Sequence, residues 1–417
     1  MRIECYNIGK VESAKIDISK ITLIAGLNST GKSTIGKTLY SVFNSLYNYE
    51  ENIFRQKKDF LTYQLSKRKW GVDDRYLMNK FSSRCVEMLS NEPKPVSSEK
   101  VLEIINSNFE TEKIVQLDSS LIKNITDFFN TEDEEFVDWF LQRRFKMEFA
   151  DQVQNLMDPD GQSSIKLVIQ GETTEIVISN NEIASFSGKK SLRTRAIYFD
   201  DPFVLDNMGS LFVENGHQNE LINRFGMKIP DDLSGAANEF LTEKKLNRIF
   251  EKLSLVWNGE VSKKERDISF FEKNIGKNLD VKNISTGLKT FIIIKILLLN
   301  GSLEQNGTLI LDEPEVHLHP AWQKILAEII VLIQIEFGMH ILINSHSSFF
   351  IEAIDTYEKN YGIRNKCNFY LAEENTHNKS SIFKDVSDDL QPIYRLLYDP
   401  LEWLMAEQQK IFNECKV

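Results

Sequence analysis

The chain has 417 residues, 41% of them hydrophobic, and a formal net charge of −11 at pH 7. That length suits about two or three domain-sized units with an ample core. The acidic balance argues against a surface coated with phosphate-binding lysines, and no apolar run approaches the ~20 residues of a membrane span.

In chain order, residues 1–25 alternate as strands: "RIECYNIG", "AKIDIS" and "ITLIAG". The opening "MRIECYNIGK" lacks the apolar core of a signal peptide, which predicts a cytoplasmic protein. The third strand runs into Gly26-x4-Gly31-Lys32-Ser33, the P-loop pattern. Its glycines let the backbone curl so that N–H groups face phosphates, and the following helix N-terminus adds positive partial charge. Asn28, Ser29, Thr30 and Thr34 complete the cradle. Lys32 is placed to reach the β/γ-phosphates and the Ser33 hydroxyl to bind Mg2+.

Residues 35–160 read mostly as helices, and 131–157 has helical apolar spacing with an acidic start. Residues 164–187 read as a hairpin with "QGET" as its turn, and 195–201 as a strand. Residues 205–280 are polar and mixed, and predict helix. "NISTGLKT" (283–290) then leads into the buried helix "TFIIIKILLLNGSL". Ser285 and Gly287 at its start form a candidate anion site of backbone N–H groups and a hydroxyl.

"TLILDEP" is a buried strand ending in Asp312, a carboxylate able to hold Mg2+ through water, followed by Glu313, which can polarise an attacking water. His317 and His319, with Glu315, could suggest a metal site, but the H-x-H spacing is not diagnostic and no third ligand group stands out, so they are read as turn and interface residues. "ILINSHS" (341–347) ends another apolar strand in His346. The tail holds "CNFYLAEE", "SSIFKDV" and a last helix ending near 413. The strands carrying chemistry would be neighbours in a mostly parallel sheet, with ligands at their carboxyl ends. Cys5, Cys85, Cys367 and Cys415 form no CxxC pair and predict buried, unpaired thiols. Lys57-Lys58, Lys67-Arg68-Lys69, 189–195 and Lys263-Lys264-Arg266 are local basic stretches, read as solvated faces.

P-loop, Ser-x-Gly, LDEP and strand-end His, in this order, resemble an ABC-class ATPase head. That class implies an α/β fold: a P-loop mixed or parallel sheet with a β-subdomain and a large helical insertion. Finer similarity is to the soluble bacterial ATPases of the OLD and Rad50/SMC-like group, through "ECYNIGKVESAKIDI", "GLNSTGKST" and "LDEPEVHLHP". It covers about 1–45, 164–201 and 280–365. The resemblance implies ATP and Mg2+ as ligands and a head-to-tail homodimer or higher oligomer. Lys32, Ser33, Asp312, Glu313 and His346 would act in cis, His346 on the γ-phosphate, and Ser285 and Gly287 in trans. A Q-loop glutamine is not evident, and Asp200 or Asp201 would stand in its place. Neither a Toprim domain nor a long coiled coil is expected. The domain division expected is a nucleotide-binding lobe of 1–45, 164–201 and 305–417, and a helical lobe of 46–163 and 202–304.

Truncated heads of this kind resemble the ATPase subunits of Septu-type and PARIS-type anti-phage systems. They imply a sensor-scaffold that controls a separate effector, a nuclease of HNH or Toprim type, triggered by nucleic acid or a phage protein, with no membrane partner. The alternative is a RecF-like repair ATPase that closes directly on DNA through Lys57, Lys58, Lys189, Lys190, Arg193 and Arg195.

Overall fold

The computed structural model describes residues 1–66, 75–108, 118–188, 191–208, 216–226, 246–264, 267–273 and 275–414. Fourteen strands are described: β1 (Arg2–Ile8), β2 (Val11–Asp17), β3 (Ile21–Gly26), β4 (Ser163–Ile169), β5 (Glu172–Ser179), β6 (Glu182–Ser187), β7 (Ala196–Phe199), β8 (Glu260–Lys264), β9 (Asp267–Glu272), β10 (Lys277–Leu279), β11 (Thr308–Asp312), β12 (His340–Ser345), β13 (Cys367–Glu374) and β14 (Ser381–Asp385). The helices are α1 (Lys32–Leu46), α2 (Tyr49–Ser66), α3 (Arg75–Ser90), α4 (Ser98–Asn108), α5 (Ser119–Asn130), α6 (Asp133–Phe149), α7 (Gly216–Phe225), α8 (246–254), α9 (Thr286–Leu299), α10 (Pro320–Phe337), α11 (Ser348–Asn360) and α12 (Gln391–Glu414).

Eleven strands make one sheet in the order β6-β5-β4-β1-β2-β14-β13-β3-β12-β11-β7. From β13 to β7 every pair is parallel. β3 and β11 are buried at every position, as strands covered on both faces must be. From β6 to β2 every pair is antiparallel, and β4 and β5 alternate buried and more exposed residues along much of their length. The two halves join at β14, parallel to β2 and antiparallel to β13. The sheet is therefore the mixed α/β architecture expected.

The chain forms two compact units. Unit 1 is 1–44, 142–189 and 194–417, and unit 2 is 45–141 with 190–193. This division differs from the expected lobes, because 142–163 and 202–304 belong to unit 1. The reason is packing. Helix α9 is buried on most of its circumference, and its Ile292, Ile293 and Leu297 share one core with Leu23, Leu309 and Ile341 of the parallel strands. Unit 2 has its own core, built around Leu61, Val86, Ile105, Ile125 and Phe129.

Two local expectations are corrected. The 164–187 segment is a three-stranded meander, since Asn180 and Asn181 both take positive φ (52° and 62°) and reverse the chain a second time. β8, β9 and β10 form an antiparallel sheet in the order β10-β9-β8 where helix is expected. The tail from 367 supplies β13 and β14 to the main sheet, so it completes this fold rather than forming a separate domain. Cys5, Cys85 and Cys367 are buried free thiols, as expected, whereas Cys415 lies outside the described residues. No described helix is long and apolar enough to cross a membrane.

One buried acid gives the fold a pH signature. Glu358 on α11 is fully buried, and burial pushes its carboxyl from 4.5 up to about 8. Between those values the folded state keeps a proton that the unfolded chain loses, so this group makes stability fall as pH rises. Glu358→Gln is expected to flatten that decline between about pH 5 and 8, as read by chemical denaturation at stepped pH. An unchanged slope would show that Glu358 does not carry it.

Candidate functional site

The parallel strands bring distant residues to one edge. Ile24 and Ala25 of β3 stand beside Asn344 and Ser345 of β12, and Asn344 stands beside Asp312 of β11. The segments after β3, β11 and β12 therefore emerge together at the carboxyl edge, where ligands bind in such sheets.

After β3 the chain curls tightly. A Cβ on Gly26 would lie 2.7 Å from the Ala372 carbonyl oxygen, and Gly31 has φ +76°, so both positions call for glycine. Ser29 is also left-handed, at φ 62°. The Thr30 hydroxyl donates to the Leu27 carbonyl at 2.8 Å, closing the loop. Asn28 and Ser29 are exposed, Ser33 is half-buried, and Ser33 and Thr34 lie in the first turn of α1. The Lys32 ammonium is buried and donates to the carbonyls of Gly26 (3.0 Å) and Leu27 (2.8 Å). Burial lowers its pKa, against the carboxylates that raise it.

Glu313 stands opposite. Its Oε1 is 3.7 Å from Lys32 Nζ and 3.1 Å from His346 Nδ1. A positive φ of 51°, uncommon for a residue with a side chain, turns it toward them. Its backbone N–H donates to the Asn344 carbonyl at 2.9 Å. The His346 imidazole holds the Glu313 carboxyl below its ordinary range, and Glu313 in turn raises His346. The result is a carboxylate between an ammonium and an imidazole whose protonation it favours.

Asp312 is buried, with both oxygens occupied: the Tyr198 hydroxyl donates to Oδ2 at 2.6 Å and the Asn344 amide to Oδ1 at 2.9 Å. Ser33 and Asp312 are hard oxygen donors of the kind Mg2+ takes. Among the described residues no three His, Cys, Asp or Glu side chains cluster as metal ligands. A Mg2+ held here would therefore complete its shell with water and phosphate oxygens, as that ion commonly does.

Several supporting residues escaped sequence reasoning. Gly36 lets α1 press onto the sheet: a Cβ there would lie 2.9 Å from the Tyr198 ring and 3.1 Å from Ile310. A glycine inside a helix costs ~1 kcal/mol against alanine, and that cost was the available signal. Glu315 is buried and accepts from the Ser345 hydroxyl at 2.5 Å, and burial pushes it up to about 7. Ser345 also accepts from the Ser347 N–H at 3.1 Å, and the Ser347 hydroxyl caps α11 by accepting from the Phe350 N–H at 3.2 Å. This pins the turn that carries His346. Below Tyr198, at 4.7 Å between ring centroids, His217 is held between Glu148 (2.5 Å) and Asp200 (3.0 Å). Burial lowers its pKa, but these carboxylates prevail and raise it to about 9.

The other expected site residues lie as follows. Ser285 is exposed at the N-cap position of α9, without a side-chain capping bond. Gly287 is buried, and a Cβ there would lie 2.8 Å from the His317 carbonyl oxygen, so its smallness seats α9 on the turn after β11. His319 caps α10, its Nδ1 accepting from the Ala321 N–H at 3.2 Å, and His317 is a left-handed turn residue at φ 68°. Asp200 pairs with His217, and Asp201 accepts from the Phe203 N–H to start the 202–207 turn. Of the basic groove, Lys57 is buried, with its ammonium 5.3 Å from the Phe136 ring centroid, and Arg195 lies 3.8 Å from Glu220. Lys67-Arg68-Lys69 and Lys189-Lys190 fall outside the described residues.

A family model described as "AAA ATPase domain" matches residues 1–351. No curated protein matches the chain. Among solved structures it is similar to the SMC head domain from Thermotoga maritima, at 11% identity and TM-score 0.39, over 92% of this chain and 98% of that one. It is also similar to an SMC head bound to the C-terminal winged-helix domain of ScpA, at 12% identity and TM-score 0.44, over 92% and 96%. A third is an SMC head with an extended coiled coil bound to the C-terminal domain of ScpA, derived from Pyrococcus furiosus, at 11% identity and TM-score 0.40, over 95% and 98%.

The Tyr198–Asp312 bond gives a direct test of this geometry. Tyr198→Phe keeps the ring but leaves a buried carboxylate oxygen without its donor, at a cost of ~1–3 kcal/mol in chemical denaturation. Combined with Asp312→Asn, the double variant should lose less than the sum of the two singles. Strict additivity would show that the two groups do not interact.

Proposed function

This chain belongs to the AAA ATPase domain family, and we propose that it is an ABC-type ATPase that binds ATP with Mg2+, pairs head-to-tail with a second copy around the nucleotide, and hydrolyses it. The observation that carries this reading is the Lys32–Glu313–His346 cluster, brought together just after three adjacent parallel strands. Lys32 now donates to the loop's own carbonyls, and triphosphate oxygens are stronger acceptors for the same ammonium. As Lys32 turns to phosphate, Glu313 loses part of the positive field that depresses its basicity, and becomes a better acceptor for a water proton. His346, whose protonation Glu313 favours, would offer a second donor to the terminal phosphate. Mg2+ between Ser33 and Asp312 would offset phosphate charge. Ser285 and the α9 N-terminus, exposed at the surface, would meet the partner copy's nucleotide.

The paired state would act as sensor and scaffold for a separate effector, a nuclease, in bacterial anti-phage defence. This part rests on the resemblance of compact heads to defence ATPases. Nucleotide binding then shifts the population between open and closed pairs. A direct DNA clamp is less well supported, because burial of Lys57 removes one of the cations it would use.

Two substitutions test the reading. Glu313→Gln should keep ATP affinity, lower turnover by about 100-fold or more, the loss typical of a general base, and accumulate closed dimers in size-exclusion chromatography with light scattering. Normal turnover would remove Glu313 as the base. Lys32→Ala should lose nucleotide affinity in equilibrium binding together with protection against phage, and protection that persisted without ATP binding would remove ATP as the switch.

A further inference from the structure

Unit 2 contains a cavity that the nucleotide reading does not use. It encloses about 450 Å³ and is lined by Gln56, Phe60, Phe128, Thr131, Glu135, Phe136 and Trp139. All seven come from α2, α5, α6 and the α5–α6 turn, within one compact unit. That volume lies within the ~300–1,000 Å³ of small-ligand pockets. Four of the seven are aromatic. Phe60 and Phe128 stack with centroids 4.0 Å apart, and Phe136 meets Phe128 edge-on at 5.5 Å. Trp139 is 44% exposed and opens the site to the surface.

The one charged side chain that lines the cavity is acidic. Glu135 lines the cavity and is exposed, and Glu132, Asp133 and Glu134 precede it at the start of α6. Burial, then the charges of Glu134 and Glu135, raise the Asp138 carboxyl one turn on. Two lysines of the described residues near these rings have partners within the unit. Lys94 pairs with Asp133 at 3.7 Å and donates to the Thr131 carbonyl. Lys57 is buried, with its ammonium over the Phe136 and Phe129 rings at 5.3 and 5.9 Å. Ring faces are negative, so an acidic, ring-walled pocket attracts cations and repels phosphate. Lys57 shows the same wall already accommodating one cation from within the chain.

We propose that this cavity receives an arginine side chain presented by a partner polypeptide. A guanidinium is planar, weakly hydrated and stacks on aromatic faces, and its fork matches a carboxylate such as Glu135. The Gln56 amide and Thr131 hydroxyl offer further acceptors. The volume exceeds one side chain and leaves room for an apolar neighbour. The site needs no nucleotide, so the inference stands or falls separately from the ATPase reading.

The test uses the full chain without nucleotide. A fluorescein-labelled octapeptide of alternating Arg and Leu is titrated by anisotropy beside its Glu-Leu counterpart and a labelled oligothymidylate. Only the arginine peptide should bind. Glu135→Lys and Trp139→Ala should each weaken it by about tenfold or more, as expected when a charge partner or a cation–π wall is lost. Glu135 is exposed, so Glu135→Lys should leave the circular-dichroism melt unchanged and keep the test valid if Trp139→Ala is unstable. Binding that both variants leave intact overturns the proposal. So does an oligothymidylate whose binding Trp139→Ala abolishes, which would assign the cavity to nucleic acid.

Discussion

β12 lies between β3 and β11 in a register that sets Ser345 beside Ala25 and Asn344 beside Asp312. Side chains alternate faces along a strand, so a slip of one residue would send Asn344 and Ser345 to the opposite faces of the sheet. Asn344 then could not hold Asp312, and Ser345 could not hold Glu315. Apolar runs buried on both faces would accept either register, so the polar pairs at the strand ends discriminate between them and select the observed register. Loop conformation, helix placement and the electrostatics of the site all follow from it.

Several buried charges of unit 1 have close partners. Lys32 has two carbonyls and a carboxylate, His217 has two carboxylates, and Lys289 has Asp206 at 2.7 Å from each oxygen. An unpaired buried charge costs several kcal/mol, so removing one partner of such a pair is strongly destabilising. They differ in replaceability. His217 and Lys289 tie segments of the scaffold together, whereas Lys32 is held by loop carbonyls that an incoming phosphate can displace. The exchangeable ion therefore sits within a frame of fixed ones.

Unit 2 follows a different logic. Its helices have their own core, and a cluster of rings lies on one side beside the acidic start of α6. A surface of that kind is suited to chemistry unlike a triphosphate.

What the sequence determined by itself was local. The uninterrupted apolar runs of β3, β11 and β12, the spaced glycines of the P-loop, and the Asp-Glu and His at strand ends each lie within a few residues, where spacing alone dictates conformation. Weak local signals mislead. In β8–β10 charged residues interrupt the alternation, so the period of two is faint, and the Asn180-Asn181 reversal is hidden inside one β-rich arm. Tertiary structure alone decided which residues support the site. Tyr198 is 114 positions from Asp312, and Glu148 is 69 from His217. Lys57 reads as a solvated charge on a polar helix until the rings of Phe129 and Phe136 close over it. A side chain's spacing in the chain states which face it occupies, but its partner across that face is set by sheet order and helix packing, which no local pattern encodes.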